Sequence, residues 1–224
     1  MITLHYLQCS RSFRILWALE ELGIDYQVEY YPRLANFAAP ESLKQLYPLG
    51  KAPILVDEQE VIVESASILD YLQQQYDTQQ IFKPQSVAAQ RQYNYWLHYA
   101  EASLMPLLVM TLVMNHVEKQ TPWVIRPIAK KVVDGVKAGY VRPRVKEHIG
   151  YLEQHLANHE YFAGDFSFAD IQMAFPLMAI QHRLHGKYPH IQAFVQRVQQ
   201  RTAFQHAEQK SLQSQCEEQR AKTA

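Results

Sequence analysis

The chain has 224 residues, 48% of them hydrophobic and 20% charged, enough to bury a core as one large or two small domains and too apolar to be disordered. Basic and acidic residues number 22 each, a formal net charge of +0, which excludes a global pull toward nucleic acid or anionic lipid and leaves room for a local basic patch only. The two cysteines, Cys9 and Cys216, stand near opposite ends, so no disulfide framework is expected; MITLHYLQCS lacks the flank and apolar core of a signal peptide, and the most apolar run, Leu104 to Met114, is short for a bilayer, so the cytoplasm and no membrane segment are expected.

Ile2 to Leu7 reads as a strand, and from Ser12 the positions Phe13, Leu16, Trp17, Leu19 and Leu22 make a helical stripe closed by Gly23. Tyr26 to Tyr31 is a second strand, completing a βαβ unit that demands parallel pairing and a right-handed crossover. A loop and a short helix, Glu41 to Tyr47, follow. Ile54 to Val56 and Val61 to Val63 are β-branched runs joined by the polar Asp57-Glu58-Gln59-Glu60, the pattern of a hairpin. Pro53 has no N–H and marks the hairpin's entry, and a cis bond at Ala52-Pro53 is expected. From Ser65, placed as the N-cap, Ala66, Ile68, Leu69, Tyr71 and Leu72 fall on one helical face. The order βαβαββα over residues 1–78 is that of a thioredoxin-like fold.

Residues 79–85 break the periodicity with polar side chains and Pro84 and read as a linker. Helical spacing then fills 86–205, with helices expected at Val87 to His116, Pro122 to Lys137, Val141 to Asn158, Phe168 to Leu184 and Pro189 to Phe204. The fold class is therefore an α/β thioredoxin-like N-terminal domain followed by an all-α C-terminal domain. Ser167 and Asp170 have the form of a capping box, with a structural role. The segment 206–224 is polar and is expected to fray.

The helix start at Ser65 offers unpaired amides and the positive end of the helix dipole, which suit a carboxylate, while Glu64 beside it suits an ammonium. An extended peptide can pair with the backbone next to Pro53, and Lys51 can take a distal carboxylate. LGKAPIL followed by ESASILDYL resembles the glutathione-binding half of the glutathione transferase family, and SRSFRILWALEELG resembles its bacterial and fungal branch, in which a serine precedes the arginine. The resemblance spans nearly the whole chain and is most specific at 9–23, 48–72 and 167–170. It implies a cytoplasmic detoxification enzyme with glutathione as co-substrate and no metal: Glu64 and Ser65 on the γ-glutamyl end, Ala52 beside the cis Pro53 on the peptide backbone, Lys51 on the glycyl carboxylate. A small hydrophobic electrophile would lie against the helical domain. It also implies a homodimer, in keeping with Tyr93, Tyr95, Trp96 and Tyr99 on one helix, and Glu101 reaching the neighbour's ligand. Nucleic acid and membrane are not expected partners.

The catalytic candidates are Ser10 and Cys9, at the junction of the first strand and first helix, where the helix dipole favours a thiolate. Ser10 would donate a hydrogen bond to the glutathione sulfur. Cys9 would instead form a mixed disulfide, since Cys9 to Ser12 also resembles the CxxS of monothiol glutaredoxins, and the protein would then be a thiol/disulfide reductase. A third reading is a non-catalytic binding or interaction protein on the same fold. Tyr6 alternates into the strand as a core tyrosine, Arg11 and Arg14 could steer an anionic ligand but read rather as facing solvent or a partner subunit, and His148, His155 and His159 read as a helix face without the ligands of a metal site. Met105, Met110 and Met114 suit either a hydrophobic cavity or core packing.

Overall fold

A computed structural model describes the chain apart from residues 35, 37, 182, 183, 185 and 224, and the backbone alone over 214–223, so the Cys216 side chain lies outside the described residues. Four strands, β1 (Ile2–Leu7), β2 (Tyr26–Tyr31), β3 (Ile54–Asp57) and β4 (Glu60–Val63), form one sheet in the order β2-β1-β3-β4. β1 pairs parallel with β2, Leu4 opposite Val28, and antiparallel with β3, Leu4 opposite Leu55. This is the βαβ unit plus hairpin that the sequence pattern predicts. The hairpin is tighter than predicted: Asp57 pairs with Glu60, leaving a two-residue turn in which Glu58 takes a positive φ of 54°. The short helix after β2 is a single 3-10 turn, Glu41–Gln45.

Helices α1 (Ser12–Leu22) and α2 (Ser65–Tyr76) pack on the sheet and on each other. α1 ends at Gly23, φ 62°, the left-handed residue that lets the chain leave the helix without a Cβ penalty. The predicted linker is tied down. Asp77 accepts from the amides of Ile81 and Phe82, and the buried Phe82 stacks on Phe168, its carbonyl accepting from the Phe168 amide.

The helical part comprises α3 (Val87–Tyr99), α4 (Met105–Gln120), α5 (Arg126–Val136), α6 (Arg142–Leu156), α7 (Phe168–Ile180), α8 (Pro189–Gln199) and α9 (Thr202–Thr223). The helices expected at 122–137 and 141–158 are one rod, because α5 runs into α6 through a π turn, Lys137–Val141, just as α3 runs into α4 through Ala100–Leu104. Each π turn precedes a proline, Pro106 or Pro143. A proline has no N–H to donate and crowds the carbonyl four residues back, and a widened turn accommodates both. The apolar run Leu104 to Met114 thereby falls within a 34-residue helix that by length and composition could cross a bilayer. Its α3 half is instead core, with Tyr93 and Trp96 buried and α3 packed against α7.

α7 is the axis of the helical part, buried nearly all round and started by the predicted capping box. Asp170 accepts from the amides of Phe162 and Ser167 and from the Ser167 hydroxyl. The polar segment expected to fray begins as helix: α9 starts at Thr202, and its first turns pack along α1. Among the described side chains of α9, Phe204, Ala207 and Ser211 are buried, spaced along one helical face, and Tyr6 shares a 2.8 Å hydrogen bond with Ser211. Arg201 forks onto Glu21 at 2.6 and 2.8 Å. After Phe204 the stripe continues with the small Ala207 and Ser211, which leaves little apolar signal in the sequence.

Candidate functional site

Two cavities meet at the first turn of α1. The first, about 210 Å³, is lined by Lys51, Ala52, Pro53, Glu64 and Ser65 together with Arg11, Tyr47, Val63 and Glu101. All five residues assigned to glutathione by resemblance therefore converge on one hollow, and the Ala52-Pro53 bond is cis. Glu64 carries a φ of 68°, a left-handed conformation that is costly for a residue with a side chain and that turns the chain sharply from β4 into α2.

Ser65 is not the N-cap. Glu64 holds that position and α2 has no side-chain cap and no acid in its first turn, so its leading amides remain open for an incoming anion. The Ser65 hydroxyl, buried, accepts from Arg14 Nη1 at 3.1 Å and from Gln172 Nε2 at 3.2 Å. With both lone-pair directions taken, its one proton is left to donate, and Ser65 lines the cavity.

Arg14 is fully buried, contrary to the expectation of a solvent-facing arginine. Nη1 also reaches Glu101 at 2.5 Å, and the guanidinium lies over the Phe175 ring at 4.7 Å. Desolvation brings Arg14 down to about 10, opposed by Glu101, so it remains a cation at neutral pH. Arg11 pairs with the other Glu101 oxygen at 2.8 Å. Both Glu101 carboxylate oxygens are thus paired with arginines at the start of α1. A charged residue inside the apolar run FRILWAL was the available sign of Arg14; nothing local marks Gln172, which comes from α7 more than a hundred residues away.

The second cavity, about 270 Å³, holds Cys9, Ser10 and Arg33 at one end and Met105, Leu108, Val109, Leu112 and Phe175 along an apolar wall. Part of the apolar run thus lines a cavity, as one of the two sequence readings had it. Arg11 borders both cavities. Ser10 is buried, and its hydroxyl donates to the Leu7 carbonyl at 2.7 Å or to Ser12 at 2.9 Å while accepting from the Ser12 amide. Cys9 is exposed, with a φ of 50° that turns the chain between β1 and α1.

Tyr6 is buried away from both cavities, its hydroxyl pushed up to about 12 by burial despite the Ser211 bond. Of the four aromatic residues that suggested an interface, Tyr93, Trp96 and Tyr99 are buried in this chain's own core and only Tyr95 is exposed. His155 stacks on His159 with centroids 4.4 Å apart, and among the described residues no group of three acidic, histidine or cysteine side chains is placed to hold a metal.

A small mixed sheet in thioredoxin order, a helical domain seated on it and a hollow built on a cis-proline loop define the architecture of glutathione transferases. Residues 8–75 match the glutathione S-transferase N-terminal domain family, and residues 103–202 the C-terminal domain family. The chain belongs to the glutathione S-transferase family. It is 40% identical to glutathione S-transferase 3 of Schizosaccharomyces pombe over 85% of this chain and 78% of that protein. With glutathione S-transferase 1 of Saccharomyces cerevisiae it shares 31% identity over 94% of this chain and 95% of the relative. A crystal structure of a glutathione S-transferase from Actinobacillus pleuropneumoniae superposes with a TM-score of 0.76 at 31% identity, covering 94% of this chain and 93% of the other.

Proposed function

We propose that this chain is a glutathione transferase that binds the tripeptide in the first cavity and delivers its thiolate to a hydrophobic electrophile in the second. The observation that carries this reading is Ser65, whose hydroxyl is oriented by a buried guanidinium and an amide so that its proton, with the open amides of α2, faces a carboxylate. Glu64 takes the γ-glutamyl ammonium, the Ala52 backbone the peptide, and Lys51 the glycyl carboxylate.

The sulfur then falls where the cavities meet, beside Arg11, Cys9 and Ser10. A cation there favours the thiolate over the thiol, whose ordinary pKa is about 8.5. The thiol proton leaves to water, the sulfur lone pair forms the S–C bond, and the leaving group departs with its electron pair. Ser10 can add a donor only by releasing the Leu7 carbonyl and the Ser12 hydroxyl. Cytoplasmic detoxification as a homodimer completes the proposal.

Cys9 supports a second reading, glutathione-dependent disulfide reduction, because it is the exposed nucleophile on the cavity wall. Assays with an aryl chloride and with a mixed disulfide, each with glutathione, separate the two. Conjugation that survives Cys9→Ala supports the transferase, whereas disulfide reduction abolished by Cys9→Ala, with a glutathione mass added to the wild type by oxidised glutathione, supports the reductase. Silence in both assays would leave a binding protein.

A further inference from the structure

The local basic patch that a zero net charge permits is present, and it coincides with the most exposed apolar surface of the molecule. Between Pro122 and Lys146 the chain carries seven basic residues, from Arg126 to Lys146, against a single acid, Asp134. Lys130 and Lys131 are exposed and make no ion pair among the described residues. Arg142 meets Asp134 only at 3.6 Å, and Lys137 is held by Asn115 at 2.6 Å with Glu118 of α4 at 3.9 Å. Within the same stretch Trp123 is 80% exposed and Ile128 68%, with Val124, Ile125 and Val132 also exposed. Ile125, Ile128 and Val132 recur three and four residues apart, which puts them on one side of α5, while Val133 next to that side is buried. The apolar side of α5 is therefore wider than its packing inside the protein covers.

A surface this basic and this apolar narrows its occupant. Nucleic acid would be met by cations on phosphate and gains nothing from an uncovered isoleucine and valine stripe. A second copy joined by a two-fold axis would set the same basic patch against itself, which like-charge repulsion opposes. An amphipathic basic helix led by an exposed tryptophan matches the layered chemistry of a bilayer surface, where indole rings sit at headgroup depth and lysines meet phosphates.

We propose that α5 and the turn before it form a docking surface for a bilayer with anionic headgroups. Trp123, Ile125 and Ile128 enter the headgroup layer, and Lys130 and Lys131 engage lipid phosphates. α4, which leads into this turn, also carries Val109 and Leu112 of the electrophile cavity, so docking brings that cavity toward the phase into which apolar electrophiles partition. The surface shares no residue with the glutathione cavity, so this inference stands or falls apart from the proposed chemistry.

The test uses the full chain and vesicles of phosphatidylcholine alone or mixed with phosphatidylglycerol, read by co-sedimentation and by tryptophan emission. Trp17 and Trp96 are fully buried, so a blue shift on adding vesicles reports Trp123. The expected result is pelleting and a blue shift with phosphatidylglycerol vesicles at low salt and little of either with phosphatidylcholine. Lys130→Glu with Lys131→Glu should weaken binding by about tenfold or more. Trp123→Ser should weaken it and remove the shift, with conjugation in solution unchanged. The proposal is overturned if anionic vesicles fail to pellet the protein, if these variants bind as the wild type does, if duplex DNA binds where vesicles do not, or if lipid-free protein self-associates through Trp123.

Discussion

Ser65 carries two loads at once, and they can be measured separately. Losing its donor to a carboxylate should weaken glutathione binding by about 1.5–3 kcal/mol in a calorimetric titration of Ser65→Ala. The same change strips Arg14 and Gln172 of a shared buried acceptor, so chemical denaturation should also show a loss of about 1–3 kcal/mol. A mutant with wild-type affinity would reduce Ser65 to a structural acceptor. Arg11 makes a different kind of contribution. Arg11→Ala should raise the pKa of bound glutathione and cut conjugation about tenfold at neutral pH, with the loss largely recovered at high pH; a parallel pH profile would move the thiolate away from Arg11. Asp170 adds a pH dependence to stability. Burial pushes its carboxyl up to about 7 against its three donors, so the folded state holds a proton that the unfolded chain has already released. Its share of the stability is thus fully present below the ordinary carboxyl pKa and is lost as pH rises from there through about 7. The stability of wild type minus that of Asp170→Asn should fall over that window; a flat difference would mean that the three donors cancel burial, and a rising one that they outweigh it.

Among the elements, α9 is the one whose role the structure changes most. Phe204 packs edge-on against both Phe13 and Trp17, with centroids 5.2 and 5.1 Å away. Phe204→Ala should therefore cost about 3–5 kcal/mol, since the cavity opens inside the α1–α9 contact. Because α1 starts beside both cavities, the same variant should also raise KM for glutathione. Unchanged stability on denaturant unfolding would show that α9 is an appendage after all.

For the whole molecule, the homodimer is a proposal that now rests on family membership and the exposed Tyr95, because the other aromatic residues are spent on the core. Sedimentation should show a dimer at micromolar protein, and a monomer at that concentration would remove the proposal. Much of the architecture was legible in the chain. The period-2 runs, Gly23, Pro53 and the Ser167 to Asp170 box specify strands, a helix stop, a turn and a helix start through interactions a few residues long. For the same reason LGKAPIL and ESASILDYL located the first cavity, whose walls come mainly from one continuous stretch. What the sequence determined by itself was therefore the order of the strands and first helices, the thioredoxin-like arrangement and the cis-proline loop of the first cavity. Only the tertiary structure decided that Arg14 is buried, that it and Gln172 from α7 orient Ser65, that Glu101 pairs with Arg11 and Arg14, and that Phe204, Ala207 and Ser211 seat α9 on the molecule. Those facts depend on side chains far apart in sequence meeting on α1, and no periodicity within a single segment records such a meeting.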